Sequence, residues 1–247
     1  MKEYFTDSKL FRFLSAMGFA PAIVCFAVTM PLFFFCWLAE EMMEGDTHSF
    51  DSAIMLALRK PDNLADPIGP RWLEKAFLDI TTLGSGTVLT FLTLAVAGYL
   101  AVKKRYYDIV FLTISVGGGA LLGNLLKLGF GRPRPEMVAH LVKVSSLSFP
   151  SSHAMAAAIT YISIGVLFTR QQPNSVRAYI YAISIVIAIS VGISRVYLGV
   201  HWPTDVLASW SVGTVWIILC WLFSNWLRLR QTLQKAATPL KQPPNPP

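Results

Sequence analysis

Three short polar clusters contain the residues whose types and spacing could carry out chemistry. They are Lys127 with Arg132-Pro133-Arg134-Pro135, then Pro150-Ser151-Ser152-His153, then Ser194-Arg195 with His201-Trp202-Pro203-Thr204-Asp205. Arginine forks match phosphate oxygens in pairs, and lysine adds a point charge. The residue types therefore favour chemistry on a phosphoryl group.

The cations and one helix start predict a cradle for that group. Lys127, Arg134 and Arg195 supply three positive charges. Pro150 suits the first turn of a helix, so the backbone N–H groups of residues 151–153 are expected to be free. A helix N-terminus with free N–H groups is a ready anion site. The Ser151 hydroxyl could add another hydrogen bond.

Two histidines and one carboxylate could perform the chemical steps. His201 and Asp205 are four residues apart, so Asp205 could hold one ring nitrogen and leave the other free to attack phosphorus. His153 would then protonate the leaving oxygen. Spacing alone does not fix which histidine attacks, but only His201 has a carboxylate nearby in sequence. Asp205 and Glu136 are too few for a metal cage, so we predict no metal and no cofactor.

Apolar runs must position these clusters. Of the 247 residues, 54% are hydrophobic and 14% charged, against about 25% charged in a soluble domain. A span needs about 20 apolar residues, and backbone groups in lipid must bond internally, which requires helices. The first run is too long for a cleaved signal peptide and is followed by glutamates. We therefore predict an all-α, six-span transmembrane bundle with spans at Phe13–Ala39, Ile80–Val102, Ile109–Leu126, Pro150–Thr169, Ala178–Ser194 and Val206–Leu227.

The segments outside the spans complete the predicted organisation. Residues 71–80 have amphipathic helical spacing, typical of an interfacial helix between spans one and two or of a solvated helix with one packed face. Residues 1–235 are predicted to form a single membrane-embedded domain, and residues 236–247 a disordered Pro-rich tail. Glycines 117, 118, 119 and 123 are expected to allow close helix packing.

The basic residues predict the orientation. Three precede the first span, three lie at 103–105, Arg170 and Arg177 separate spans four and five, and four lie in the tail. The positive-inside rule then makes both termini cytoplasmic in a multi-pass inner (cytoplasmic) membrane protein, with the three clusters on the periplasmic or extracellular face.

Four further polar residues are expected to have no part in the chemistry. Arg132, His140, Lys143 and His48 are predicted to be solvated or to face lipid headgroups. The net charge of +7 would allow nucleic acid as a partner. The distribution of that charge favours a lipid phosphate in the bilayer instead, and no obligate protein partner is inferred.

Taken together, the clusters resemble the three signatures of the type 2 phosphatidic acid phosphatase superfamily. Lys127 and Arg134-Pro135 resemble the first, Pro150 to His153 the second, and Ser194-Arg195 with His201 and Asp205 the third. The six-span layout is similar to the integral-membrane lipid phosphatase branch. It argues against the soluble acid phosphatases and the vanadium haloperoxidases of the same superfamily.

The resemblance implies a role for each matching residue. His201 would be the nucleophile that forms a phosphohistidine, Asp205 its partner and His153 the leaving-group acid. The phosphoryl group would be held by the remaining matching residues, which are Lys127, Arg134, Ser151, Ser152 and Arg195. Ser152 stands where the family usually has glycine; a serine lacks the backbone freedom of glycine but can keep the backbone N–H contact.

The predicted function is a metal-independent phosphatase acting on a membrane lipid phosphate or diphosphate. Substrates of the family include undecaprenyl diphosphate, phosphatidylglycerol phosphate, phosphatidic acid and lipid A phosphates. We rank undecaprenyl diphosphate and the phospholipid phosphates first, without choosing between them, and a lipid A phosphatase with the same site is an alternative. A lipid phosphotransferase would use the same residues. An anion transporter is disfavoured because the chain has no internal repeat and its polar groups lie at the span ends; a non-enzymatic scaffold is disfavoured with it.

Overall fold

The computed structural model describes residues 19–144 and 146–237, with side chains described for residues 21–144 and 146–231. The start of the first predicted span, with Lys2, Lys9 and Arg12, lies outside the described residues, as does the tail from residue 238. The elements in chain order are α1 (Phe19–Glu44), α2 (His48–Ala57), β1 (Arg59–Lys60), β2 (Asn63–Pro67), α3 (Arg71–Thr82), α4 (Gly86–Val102), α5 (Tyr106–Phe130), α6 (Ser152–Phe168), α7 (Asn174–Tyr197) and α8 (Pro203–Ala237). The two strands form a small antiparallel hairpin.

Several helices continue beyond the charge-free runs that predicted them. Helix α5 takes in Lys127 and ends at Phe130, and the next residue, Gly131, has a φ of +63°, the left-handed conformation common just after a helix. Helix α7 takes in Arg195 in its last turn, and α8 carries Asp205 in its first. The ends of the helices, rather than the loops, therefore position these charged residues.

The second predicted run is divided between two helices. Its first three residues end α3, and α4 begins at Gly86 after a bend of 49°. Ser85 caps α4 by accepting a hydrogen bond from the Val88 amide at 3.3 Å. A polar side chain inside an apolar run can thus cap a new helix and separate it from the one before. The run was defined by the absence of charged residues, and that criterion does not detect an uncharged cap. The predicted helix at 71–80 is confirmed as α3.

Four described helices are long and apolar enough to cross a membrane: α1, α5, α7 and α8. Helices α3 and α4, which are separated by the bend, make a fifth span if the two together are counted as a single span. Helix α6 is apolar but has 17 residues, which at 1.5 Å per residue is about 26 Å against a hydrocarbon core of about 30 Å. The protein is therefore a mostly helical membrane protein with four to five such spans in the described residues.

Helix α6 lies at the centre and packs against α5, α7 and α8, while α1 packs along α8 and α3 along α7. A buried cluster around Phe149, Met155 and Ile159 joins α6 to α1 and α8. A Cβ on Gly119 of α5 would lie 2.5 Å from the end of the Ile159 side chain, so glycine allows the close approach of α5 and α6. The N-terminal end of α6 thereby sits among the ends of three other helices.

Candidate active site

The end of α5, the start of α6, the end of α7 and the start of α8 meet at one end of the bundle. His153 lies within electrostatic range of the charges of Lys127, Arg134 and Arg195. The Ser151 amide donates a hydrogen bond to the Asp205 carbonyl oxygen at 3.3 Å, which ties α6 to α8. The three sequence clusters thus form one site.

His201 occupies the buried loop between α7 and α8, with only 1% of its surface exposed. Its Nδ1 lies 3.2 Å from Asp205 Oδ2, one helical turn further along the chain. Its Nε2 lies 3.2 Å from Nη1 of Arg134. Because Asp205 accepts the proton on Nδ1, the lone pair of Nε2 is directed toward the cationic side of the site.

Burial lowers the pKa of His201 from 6.5 to about 3, and the nearby charges of Arg134 and Arg195 add to that effect. The hydrogen bond and charge of Asp205 act in the opposite direction without reversing it. The imidazole is therefore neutral at physiological pH, which is the protonation state that a nitrogen nucleophile requires.

Asp205 is fully buried and receives donors on both carboxylate oxygens. Oδ2 accepts from the Trp202 amide at 2.9 Å and from the hydroxyl of Ser148, in addition to its contact with His201. Oδ1 accepts from Arg132 at 2.6 Å. Hydrogen bonds and positive charge at a carboxylate favour its ionised form, which offsets the cost of burying it.

Arg134 and Lys127 both reach the loop that precedes α6. Arg134 donates through Nε to the Ser146 carbonyl at 2.7 Å and through Nη1 to the Val200 carbonyl, and Lys127 Nζ donates to the Leu147 carbonyl. Burial lowers the pKa of Arg134, while the charge of Asp205 raises it. These two cations therefore shape the loop around His201 as well as supplying positive charge.

Arg195 and His153 face the bend between α3 and α4. Arg195 is 3% exposed and donates through Nη1 to the Thr81 hydroxyl at 2.8 Å, while its Nε is buried without a partner in the described structure. A Cβ on Gly84 would lie 3.1 Å from the His153 carbonyl oxygen. The bend thus lies directly against two of the predicted site residues.

Ser151 and Ser152 begin α6, as predicted. The Ser151 hydroxyl is buried and makes no hydrogen bond in the described structure, so an incoming oxygen could satisfy it. The expectation that the amides of residues 151–153 are all free is wrong for Ser151, whose N–H is bonded to the Asp205 carbonyl. Ser152 is helical and has no positive φ, so its backbone does not require glycine.

Arg132 corrects the sequence interpretation. It was expected to be solvated or to face lipid headgroups, yet its side chain is 10% exposed and forms ion pairs with two fully buried carboxylates, Asp51 and Asp205. The local spacing does not reveal this because Asp51 lies 81 residues earlier in the chain. His48, His140 and Lys143 are exposed, as expected.

Sequence reasoning also missed Asp51, Thr81 and Ser148. All three are buried polar residues that contact a predicted site residue or Arg132. Ser148 lies only two residues before the second cluster, and that proximity was the one signal that could have found it. Among the side chains that the structure describes, no group of three His, Cys, Asp or Glu residues could hold a metal ion.

Comparison of the sequence with known proteins identifies the family to which the chain belongs. The family model described as PAP2 superfamily matches residues 108–229. Phosphatidylglycerophosphatase B of Bacillus subtilis is 35% identical over 191 residues, which is 75% of this chain and 89% of that protein. The chain belongs to the PAP2 superfamily. The predicted family is confirmed, and the protein is a hydrolase of phosphate esters, as the superfamily's lipid phosphatases are.

Other PAP2 relatives extend the comparison to substrate and fold. The undecaprenyl-diphosphatase of Sulfolobus acidocaldarius is 31% identical over 128 residues, 49% of this chain and 58% of that protein. The crystal structure of the transmembrane PAP2 type phosphatidylglycerolphosphate phosphatase from Bacillus subtilis matches with a TM-score of 0.73 and 33% identity. That match covers 82% of this chain and 98% of the other, so the chain has a PAP2 membrane fold.

Proposed function

We propose that this protein is a metal-independent membrane lipid phosphatase in which His201 forms a phosphohistidine. The observation that carries the proposal is the neutral, buried His201, with Nδ1 on Asp205 and Nε2 beside Arg134. Asp205 orients the imidazole, and Nε2 faces the cation Arg134. A phosphoryl group held by that cation would therefore lie in front of the attacking nitrogen.

In the proposed first step, His201 Nε2 forms a bond to phosphorus while the bond from phosphorus to the lipid oxygen breaks. His153 donates a proton to that leaving oxygen. Lys127, Arg134 and Arg195 hold the phosphoryl oxygens, with the hydroxyl of Ser151 and the backbone of Ser152. Arg134 would exchange its contact with Nε2 for one with a phosphoryl oxygen.

In the second step, His153 takes a proton from water as the water oxygen attacks phosphorus. The bond from phosphorus to His201 Nε2 breaks, which releases inorganic phosphate and regenerates the enzyme. A lipid hydroxyl in place of water would give phosphotransfer with the same residues. Hydrolysis is favoured because the relatives compared above are named as phosphatases.

The proposed substrate is phosphatidylglycerol phosphate, with undecaprenyl diphosphate second. The first choice is supported by the Bacillus subtilis phosphatase, since the match covers 89% of that relative against 58% of the undecaprenyl-diphosphatase.

The proposed setting is a cytoplasmic membrane with both termini inside and the active site on the opposite face. Helix α6 would be the fourth of six spans, α3 would lie in the interface, and residues 1–235 would act as one domain. Phosphatidylglycerol phosphate and undecaprenyl diphosphate both present their phosphates at a membrane surface, which matches a cationic site at one end of the bundle.

A lipid panel tests this proposal. The purified full chain in mixed micelles would be given phosphatidylglycerol phosphate, undecaprenyl diphosphate, phosphatidic acid and lipid A, with EDTA present, and phosphate release measured. We expect release to be highest with phosphatidylglycerol phosphate and to persist in EDTA. Loss of activity in EDTA that Mg²⁺ or Zn²⁺ restores would refute the metal-independent mechanism.

Rapid quench into alkali with ³²P-labelled lipid tests the intermediate. Alkali preserves phosphohistidine, so a labelled protein is expected from the wild type and none from His201→Gln. The matched control is His140→Gln, because His140 is exposed and glutamine can still donate to the Pro135 carbonyl that His140 contacts. Undiminished label in His201→Gln would refute the assignment of the nucleophile.

A further inference from the structure

Arg132 connects two buried carboxylates through the two ends of one guanidinium group. Nη1 donates to Asp205 Oδ1 at 2.6 Å, and Nη2 donates to Asp51 Oδ2 at 2.7 Å. The guanidinium also lies over the Trp202 ring, 5.3 Å from its centroid. The planar group is thus held at both ends and on one face.

Asp51 is fixed independently of Arg132. Its Oδ1 accepts from the Thr204 amide at 3.0 Å, and its Oδ2 accepts from the Thr204 hydroxyl at 2.6 Å. Thr204 is in the first turn of α8, so the carboxylate of Asp51 caps that helix and interacts favourably with its dipole. Helix α2 therefore brings a fixed negative charge to the start of the helix that carries Asp205.

The division of donors between the two oxygens of Asp205 determines its orientation. Oδ1 is bound by Arg132, and Oδ2 is left for His201, Ser148 and the Trp202 amide. Because the two oxygens of an ionised carboxylate are equivalent, a half-turn would change nothing, but a smaller rotation would move an oxygen away from Arg132 and break the ion pair. The planar fork of Arg132 presents a separate nitrogen to Asp205 and to Asp51, whereas a lysine ammonium would have to reach both carboxylates from a single point.

We infer that Arg132, anchored by Asp51, is a positioning residue that fixes the Asp205 carboxylate and, through it, the attacking orientation of His201. This inference rests on the proposed function, because it assumes that His201 is the nucleophile. It assigns a catalytic consequence to α2, which contributes none of the residues of the three sequence clusters.

A purely structural bridge would behave differently when it is broken. Loss of a buried ion pair lowers stability, and the fraction of folded protein then falls without a change in the rate per folded molecule. Loss of a positioning contact slows the attack itself, because misplaced reacting groups lose rate even when the substrate still binds. The rate of phosphoenzyme formation per folded molecule separates these two roles.

The experiment compares Arg132→Lys, Asp51→Asn and the double variant in the full chain. Each is measured by thermal unfolding in detergent and by rapid quench with labelled phosphatidylglycerol phosphate. We expect phosphoenzyme formation to slow on the order of 10- to 100-fold in each single variant, with KM within twofold. Because Asp51 acts through Arg132, adding Asp51→Asn to Arg132→Lys should slow phosphoenzyme formation by less than a further threefold.

Asp66→Asn serves as the matched control, since Asp66 forms an ion pair with Lys60 that is exposed on both sides. It should leave the phosphorylation rate unchanged. Phosphorylation rates within twofold of the wild type in Arg132→Lys and Asp51→Asn would overturn the inference, and so would effects that multiply in the double variant. If Arg132→Lys does not fold, the rate in Asp51→Asn decides alone.

The outcome for His201→Gln separates failure of this inference from failure of the proposed function. If that variant loses the phosphoenzyme while Arg132→Lys and Asp51→Asn react normally, the nucleophile stands and the positioning role is wrong. If His201→Gln still forms a labelled protein, the proposed function itself fails.

Discussion

The hydroxyl of Ser148 donates a hydrogen bond to the carboxylate of Asp205, a residue 57 positions later in the chain. Ser148 belongs to the loop before α6, and Asp205 to the first turn of α8. The same carboxylate oxygen lies 3.2 Å from His201 Nδ1. The loop that Arg134 and Lys127 hold in place therefore also supports the carboxylate behind the proposed nucleophile.

Replacement of Ser148 by alanine should weaken both stability and catalysis. The change removes one donor from a buried charged acceptor, which is worth about 1.5–3 kcal/mol of unfolding free energy. Turnover should fall about tenfold, equivalent to about 1.4 kcal/mol of transition-state stabilisation, with KM nearly constant. Denaturation and steady-state kinetics check both effects.

Ser184→Ala is the control, because Ser184 is also buried but its hydroxyl donates a hydrogen bond within its own helix. Equal turnover in the two variants would contradict the prediction.

The contact between Thr81 and Arg195 predicts an effect on substrate affinity. Thr81→Val removes the acceptor of Arg195 Nη1 while it keeps the shape of the side chain. Arg195 then loses its orientation toward the phosphoryl group, and KM should rise about fivefold, equivalent to about 1 kcal/mol. Thr81→Ser keeps the hydroxyl and should bind substrate normally. If the two variants have the same KM in phosphate-release assays, Thr81 does not orient Arg195.

Gly199 and Gly45 form a matched pair for a test of packing. Both have a left-handed backbone, with φ of +78° and +90°. A Cβ on Gly199 would lie 2.5 Å from the Ala139 carbonyl oxygen and 2.7 Å from Arg59, whereas a Cβ on Gly45 meets nothing within 4 Å. Gly45→Ala should cost about 1–2 kcal/mol from strain alone, and Gly199→Ala should cost clearly more. Equal losses in chemical denaturation would show that the contact at Gly199 relaxes freely.

The lowered pKa of His201 predicts how stability depends on pH. Between pH 6.5 and about 3, the unfolded chain binds a proton at His201 that the folded protein does not. The stability contributed by neutral His201 is therefore complete above pH 6.5 and lost as the pH falls, by about 1.4 kcal/mol per unit. His201→Gln should lack this component when unfolding is measured at pH 7.5, 6.5 and 5.5. Parallel pH profiles for the two proteins would contradict the assigned shift.

The sequence predicted the three clusters and their convergence because each cluster lies at the end of an apolar run, and alternating spans bring such ends to one face. It could not predict that Arg132 forms ion pairs with two buried carboxylates. Nine acidic residues lie between Glu40 and Asp79, and nothing in their local spacing distinguishes Asp51, which is buried, from Asp66, which is exposed. That distinction depends on how α2 packs against α8, a contact between distant parts of the chain.

The division of the second predicted span had a local cause that was visible in the sequence. Gly84 and Ser85 interrupt the run, and serine is a preferred residue at the start of a helix. The run was nevertheless interpreted as continuous because it contains no charge. A count of charges measures the cost of entering lipid, whereas helix boundaries also depend on caps and on close contacts such as that of Gly84 with His153.

The contacts of Asp51 and Thr81 predict how much of the chain the enzyme needs. The region that matches the PAP2 family model, residues 108–229, contains all eight predicted site residues. A fragment with those bounds would leave Arg132 with one carboxylate instead of two and Arg195 Nη1 without its acceptor. We therefore predict that the working catalytic unit is larger than the region recognised by family likeness, and that a transferable version of this enzyme has to include α2.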